Sequence, residues 1–159
     1  MYINKTLRKY SDDLASVKPA PGGGSAAALT AALGVSCLCM AANFSIGKEK
    51  YKLYEKDLRN VLSKLERIRT RLLELVDLDI LAYTKVVQAL KKTDKEKALA
   101  YRFAGKIPQE VCVLSYNVLL LAIVLAEKGN MNLISDVEVG VELLEAAFKS
   151  ALLISEINS

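Results

Sequence analysis

From Ser25 to Gly47 the chain carries no charged side chain. A run of that length either crosses a bilayer or is covered by protein, because both settings tolerate a helix without a polar face. The run is mostly Ala, Ser, Gly, Cys and Thr, too weakly hydrophobic to favour lipid. The expectation is a buried helix and no membrane span. Ala27, Ala31, Gly34, Ala41 and Ala42 leave little side chain on most of its circumference. Neighbouring backbones can then approach closely, which puts this helix at the centre with cover on all sides. In so small a domain full cover calls for a second subunit, so a homodimer is expected.

The segment before it, Lys18-Pro-Ala-Pro-Gly-Gly-Gly24, cannot continue a helix, since two prolines and three glycines punctuate it. Ser25 then stands where an N-cap is expected, opening a helix that runs to about Ser45. Upstream, Ile3, Leu7, Tyr10, Leu14 and Val17 recur at helical spacing and predict a short amphipathic helix. Downstream, apolar residues from Leu58 to Leu90 trace a long third helix. Asp94 is the expected N-cap of a fourth region, which Pro108 should kink or divide. Its apolar face, Val111, Leu114, Val118, Leu121 and Leu125, continues to Gly129, a natural C′ residue. Ser135 with Glu138 reads as a capping box opening a last helix through Leu152. No strand pattern competes, so the predicted class is all-α, a multihelical up-and-down bundle or array of long helices.

Composition narrows the function. The 159 residues fit one domain; 22 basic against 18 acidic residues give a net charge of +4. That balance suits an anionic small molecule and falls short of a nucleic-acid surface, so no nucleic-acid partner is expected. Cys37, Cys39 and Cys112 form an odd set in apolar surroundings, and the chain has no His. Neither a disulfide framework nor a Cys/His metal site is expected. The opening MYINKTLRKYSDD lacks the apolar stretch of a signal peptide. A cytoplasmic protein with reduced thiols is the consistent reading.

Four places could carry chemistry. The Gly22-Gly23-Gly24-Ser25 turn lets a ligand approach backbone N–H groups at a helix start; its plain reading is a tight turn with a cap. Asp79 falls within the apolar arc of Leu72, Leu75, Val76, Tyr83, Val86 and Leu90. A carboxylate on a core face needs a partner or a purpose, and the alternatives are a structural hydrogen bond and a general base or cation stabiliser. Asp77 points away from that arc and is expected in solvent. Asn132, Ser135 and Asp136 gather at a helix start, where Asp136 suits the macrodipole. Lys48, Lys50 and Lys52 around Tyr51 make a basic segment that could meet a carboxylate or phosphate.

These same segments, in this order, resemble the cyclodeaminase/methenyltetrahydrofolate cyclohydrolase family. Pro19-Ala-Pro-Gly-Gly-Gly-Ser25 resembles its proline–glycine turn, and Ala42-Asn-Phe-Ser-Ile-Gly-Lys-Glu-Lys-Tyr51 its Asn-containing helix end with clustered lysines. Leu75-Val-Asp-Leu-Asp-Ile-Leu-Ala-Tyr83 is similar to its Asp-x-x-Ala-Tyr helix. Ala126-Glu-Lys-Gly-Asn-Met-Asn-Leu-Ile-Ser-Asp136 is similar to its Gly-Asn-x-Asn-Leu-x-Ser-Asp turn. The resemblance implies an all-helical dimer over residues 1–159 as a single domain, lacking a further C-terminal helix found in that family.

It also implies one of two reactions. A cyclohydrolase adds water to 5,10-methenyltetrahydrofolate to give 10-formyltetrahydrofolate, and a cyclodeaminase closes 5-formiminotetrahydrofolate with release of ammonia. The cyclohydrolase is the expectation, with a non-catalytic folate binder as a further alternative. No cofactor is implied beyond the tetrahydrofolate substrate, with or without a polyglutamate tail. Asp79 is then the candidate base or cation stabiliser, with Asp136 as second choice. The Gly22, Gly23 and Gly24 backbone, Ser25, Asn43 and Asn132 are candidates for the pterin's amide edge. Pro21, Tyr83 and Ser135 complete the substrate set, and Lys48 and Lys50 are candidates for the glutamate tail.

Overall fold

The structure, a computed structural model, describes residues 1–157. After a 3-10 turn at Tyr2–Asn4, the described residues form α1 (Leu7–Leu14), α2 (Gly23–Ser45), α3 (Glu55–Ala89), α4 (Asp94–Lys128) and α5 (Ile134–Ile157). Further 3-10 turns at Glu49–Tyr54 and Met131–Leu133 lead into α3 and α5. No strand occurs among the described residues. Helix α2 packs most extensively on α5 and α3, and α4 closes the bundle against α3 and α5.

The small residues of α2 decide this arrangement. A Cβ on Gly34 would stand 2.8 Å from the Gly140 carbonyl oxygen, so α2 and α5 touch backbone to backbone there. Around that contact Ala28, Ala31, Val35, Leu38 and Ala42 are fully buried. Leu58, Leu65, Leu72 and Leu75 of α3 and Leu144 of α5 fill the remaining space. Each such leucine contributes roughly 2 kcal/mol by leaving water. Cover on all sides is not complete, however: Leu33, Met40 and Phe44 of α2 remain open to solvent.

Helices α2 and α4 are both long and apolar enough to cross a membrane. In α2 the larger part of that apolar surface faces the bundle interior. In α4, Val113, Tyr116, Leu120 and Ile123 form an outward stripe at helical spacing.

Several helix boundaries differ from the pattern. Gly22, not Ser25, is the N-cap of α2, and Ser25 sits buried inside the first turn. Thr93 rather than Asp94 caps α4, through a box in which Glu96 answers the Thr93 backbone. A hydroxyl in that place reaches the third N–H with better geometry than the next residue could. Helix α5 begins at Ile134 behind a turn capped by Asn130, so Ser135 lies in the helix and makes no cap. Pro108 does not divide α4, which runs unbroken past it because α3 and α5 hold both halves. Gly129 closes α4 with extended φ and ψ, not as a left-handed C′ residue.

The N-terminal segment overturns its periodicity most clearly. Ile3, Leu7, Leu14 and Val17 are exposed, while Tyr10 and Asp13 turn inward. Polar contacts decide that rotation. Asp13 accepts from the Tyr2 hydroxyl at 2.7 Å, from Lys9 at 2.9 Å and from Lys18. Asp77, expected in solvent, accepts the backbone N–H groups of Tyr2 (2.5 Å) and Ile3 (3.3 Å). It straps the chain's start to α3.

Candidate active site

Behind the strap lies the start of α2. Pro21 is buried, and Gly22 caps the helix with extended backbone and no side-chain hydrogen bond. The first N–H groups of α2 therefore lack the usual hydroxyl or carboxylate cap of their own segment. Asp79 of α3 supplies the carboxylate instead, accepting from the Ser25 N–H. A Cβ on Gly24 would stand 2.2 Å from Asp79 Oδ1 and 2.7 Å from its Cγ, so only glycine admits that approach.

Ser25 works from beneath. Its hydroxyl donates to the Val76 carbonyl at 2.9 Å, which leaves Tyr10 to donate its hydroxyl to Ser25 Oγ at 3.0 Å. The residue is fully buried and does not line the cleft above Asp79. These two bonds tie the start of α2 to α3 and to α1.

Above Asp79 opens a cleft of about 370 Å³. Pro19, Ala20 and the three glycines form one wall; Asp79, Ala82, Tyr83 and Val86 of α3 form the second. Tyr101 and Ala104 of α4 face them, and Ile154 of α5 closes an edge. Burial pushes the Asp79 carboxyl above its ordinary range, and the Ser25 N–H opposes that shift. The result is a carboxylate in a partly dry slot at a helix N-terminus, poised to accept a proton or to stand beside a cation.

The other predicted residues lie elsewhere. Asn43 and Asn132 sit at the far end of α2, with Lys48, Lys50, Ser135 and Asp136. From Gly24 to Asn43 the helix rises roughly 28 Å. There Asn130, which spacing had not singled out, is the pivot. Its N–H donates to Ser45 Oγ at 2.8 Å, and its side-chain oxygen accepts from Tyr51 OH and from the Asn132 N–H, both at 3.1 Å. Asn43, Lys48, Lys50, Asn132 and Ser135 are exposed, and Asp136 is half-buried. Asp136 lies near enough to Cys37 for its charge, after burial, to raise that thiol.

The structure thus brings Gly22, Gly23, Gly24, Asp79 and Tyr83 together, with Pro21 and Ser25 buried beside them, and leaves Asn43, Lys48, Lys50, Asn132, Ser135 and Asp136 at the far end of α2. Tyr101, Ala104 and Ile154 were missed, because helical spacing shows which face a residue occupies and not which helix it meets. Among the described residues no cluster of His, Cys, Asp or Glu could hold a metal ion.

The fold and the cleft define a class: an all-helical protein presenting one carboxylate at a glycine-rich helix start to a small, partly apolar cleft. The chain belongs to the formiminotransferase-cyclodeaminase family, whose model matches residues 6–159. It is 39% identical over 166 residues to a methenyltetrahydrofolate cyclohydrolase of Methylorubrum extorquens, covering 98% of this chain and 80% of that protein. It is 30% identical over 155 residues to the formimidoyltransferase-cyclodeaminase of Gallus gallus, covering 91% of this chain but only 29% of that longer protein. A crystal structure of formiminotetrahydrofolate cyclodeaminase from Thermotoga maritima superposes with a TM-score of 0.95 at 29% identity, covering 99% of this chain and 80% of that one.

Proposed function

We propose that the chain is a methenyltetrahydrofolate cyclohydrolase, converting 5,10-methenyltetrahydrofolate and water into 10-formyltetrahydrofolate and a proton. The observation that carries this reading is the Asp79 carboxylate in the cleft, set beside the similarity to the Methylorubrum enzyme. The methenyl carbon belongs to an amidinium-like cation between two ring nitrogens. Asp79 attracts that cation and takes a proton from the attacking water as the C–O bond forms. When the bond from this carbon to N5 breaks, the proton passes to N5. The hydroxyl proton of the intermediate is lost to solvent as the formyl C=O forms. Backbone N–H groups of the glycine turn suit the pterin's polar edge.

The likeness to the Thermotoga protein favours a second reading, ring closure of 5-formiminotetrahydrofolate with release of ammonia, at the same cleft. Three free cysteines agree with a reducing compartment such as the cytoplasm.

We also propose a homodimer about the exposed α2 stripe of Leu33, Met40 and Phe44. A two-fold axis near the middle of α2 runs the partner's α2 antiparallel. It carries the partner's Asn43, Asn132, Ser135 and Asp136 towards this subunit's glycine turn, which accounts for candidate residues at both ends of one helix.

The test follows methenyltetrahydrofolate absorbance with and without protein, in a buffer of slow spontaneous hydrolysis. Acceleration proportional to protein and reduced about a thousandfold in Asp79→Asn is expected. Because the base must be deprotonated, kcat/KM should fall as pH drops through the raised Asp79 value. Full activity in a folded Asp79→Asn protein removes Asp79 from the mechanism; turnover of the formimino substrate alone selects the second reading.

A further inference from the structure

The α4 wall of the cleft continues past its lining residues. Tyr101 and Ala104 line the slot. At about 100° per residue, Lys97 falls between them on the helix surface, one turn nearer the α3–α4 connection. Its ammonium lies 3.2 Å from Asp94, whose side chain is fully exposed, a pairing worth little in water. On the opposite wall Leu90 follows Tyr83 and Val86 on one phase of α3, also towards that connection. The slot therefore has a polar end at the glycine turn and Asp79 and an aromatic and apolar middle, and Lys97 stands one helical turn beyond its lining on the same face of α4.

Several other lysines are engaged or placed elsewhere. Lys18 is held by Asp13. Lys85 stacks 4.4 Å from the Phe103 ring and lines a different groove, with Gln88, Lys92 and Leu99. Lys48 and Lys50 belong to the far end of α2.

We infer that Tyr101 and Lys97 form a subsite for the part of the ligand beyond the reacting ring: Tyr101 carries a substituted benzene ring, and Lys97 meets a carboxylate attached to it. This rests on the folate reading, and it places the aminobenzoyl-glutamate portion along α4. The order of surface in the slot matches the order of groups in such a ligand. An aromatic face takes a ring by stacking, and a weakly tethered lysine takes an anion.

The test compares methenyltetrahydrofolate with the corresponding methenyltetrahydropteroate, which lacks the glutamate. Lys97→Ala should raise KM for the first about fivefold with kcat held, and leave the second unchanged. Tyr101→Leu should raise KM for both about tenfold, with rescue by Tyr101→Phe. Lys149→Ala removes an equal charge from α5 and should shift neither. Equal effects of Lys97→Ala on both substrates, no effect on either, or a glutamate-selective loss in Lys48→Ala/Lys50→Ala instead, would overturn the assignment. If the parent protein turns neither substrate over, equilibrium dialysis of tetrahydrofolate and tetrahydropteroate decides. Selective loss of tetrahydrofolate binding in Lys97→Ala keeps the subsite without the enzyme, and failure of both to bind sinks both.

Discussion

The two ends of α2 carry equally suggestive residues and are built in opposite ways. At the N-terminal end the motif turns inward: Pro21 and Ser25 are buried, Gly24 accommodates Asp79, and a cleft opens above the carboxylate. At the C-terminal end the motif is bound up in itself, with Tyr51, Ser45, Asn130 and Asn132 joined by hydrogen bonds and the lysines in solvent. One end forms a pocket within a single subunit. The other forms a rigid edge, which acts on a ligand only if a second surface faces it. The lesson is that a polar motif marks a constrained place, and burial and neighbours decide whether the constraint serves a ligand or the chain.

The sharpest way to break this comparison is Gly24→Ala. Its methyl group needs the space that Asp79 occupies, so the carboxylate must move, and kcat/KM should fall by about a hundredfold in a folded protein. Activity near the parent's would show that Asp79 does not need its present position.

A weaker effect is expected at the other end, and only through the dimer. Asp79→Asn and Asp136→Asn subunits, each impaired alone, should regain about a quarter of the parent's activity when refolded together, since mixed dimers then hold one intact shared site. No regain on mixing would separate the two ends for good.

The smallest effect concerns the strap behind the cleft. Asp13 is held well below the ordinary carboxylate range, first by Lys18, then by Lys9 and the Tyr2 hydroxyl. A depressed folded value means stability present above the unfolded pKa and lost as pH falls towards the folded one. Asp13→Asn should therefore lower the urea midpoint at neutral pH and converge on the parent in acid. A constant difference across that range would assign the loss to packing. Asp79 has the opposite sign: its raised value gives stability that is present below the unfolded pKa and lost as pH rises through the folded one. Neutral Asp79→Asn should stay folded at least as well as the parent, which separates its loss of activity from unfolding.

Much of this was legible in advance because helices are local objects. The long helices, the central place of α2 and the core phase of Asp79 follow from period and composition, since i, i+3 and i+4 neighbours share a face whatever surrounds them. The cap positions were off by one to three residues at α2, α4 and α5, because several nearby hydroxyls and carboxylates could each cap and only geometry selects one. The N-terminal helix was rotated relative to its apolar stripe. Four apolar side chains there gain less than Tyr10 and Asp13 do from hydrogen-bond partners outside the helix, Ser25 for the first and Tyr2 and Lys18 for the second.

By itself, then, the sequence determined an all-helical chain, a central small-residue helix, a family, and one carboxylate on a core face. Only the tertiary structure decided that Asp79 meets Gly24 and the Ser25 N–H at the start of α2, that Asp77 is a strap, and that Tyr101 faces Tyr83 across a cleft. The reason is physical: periodicity specifies orientation about a helix axis, while a site depends on which helices stand side by side, and that is set by packing between residues far apart in the chain.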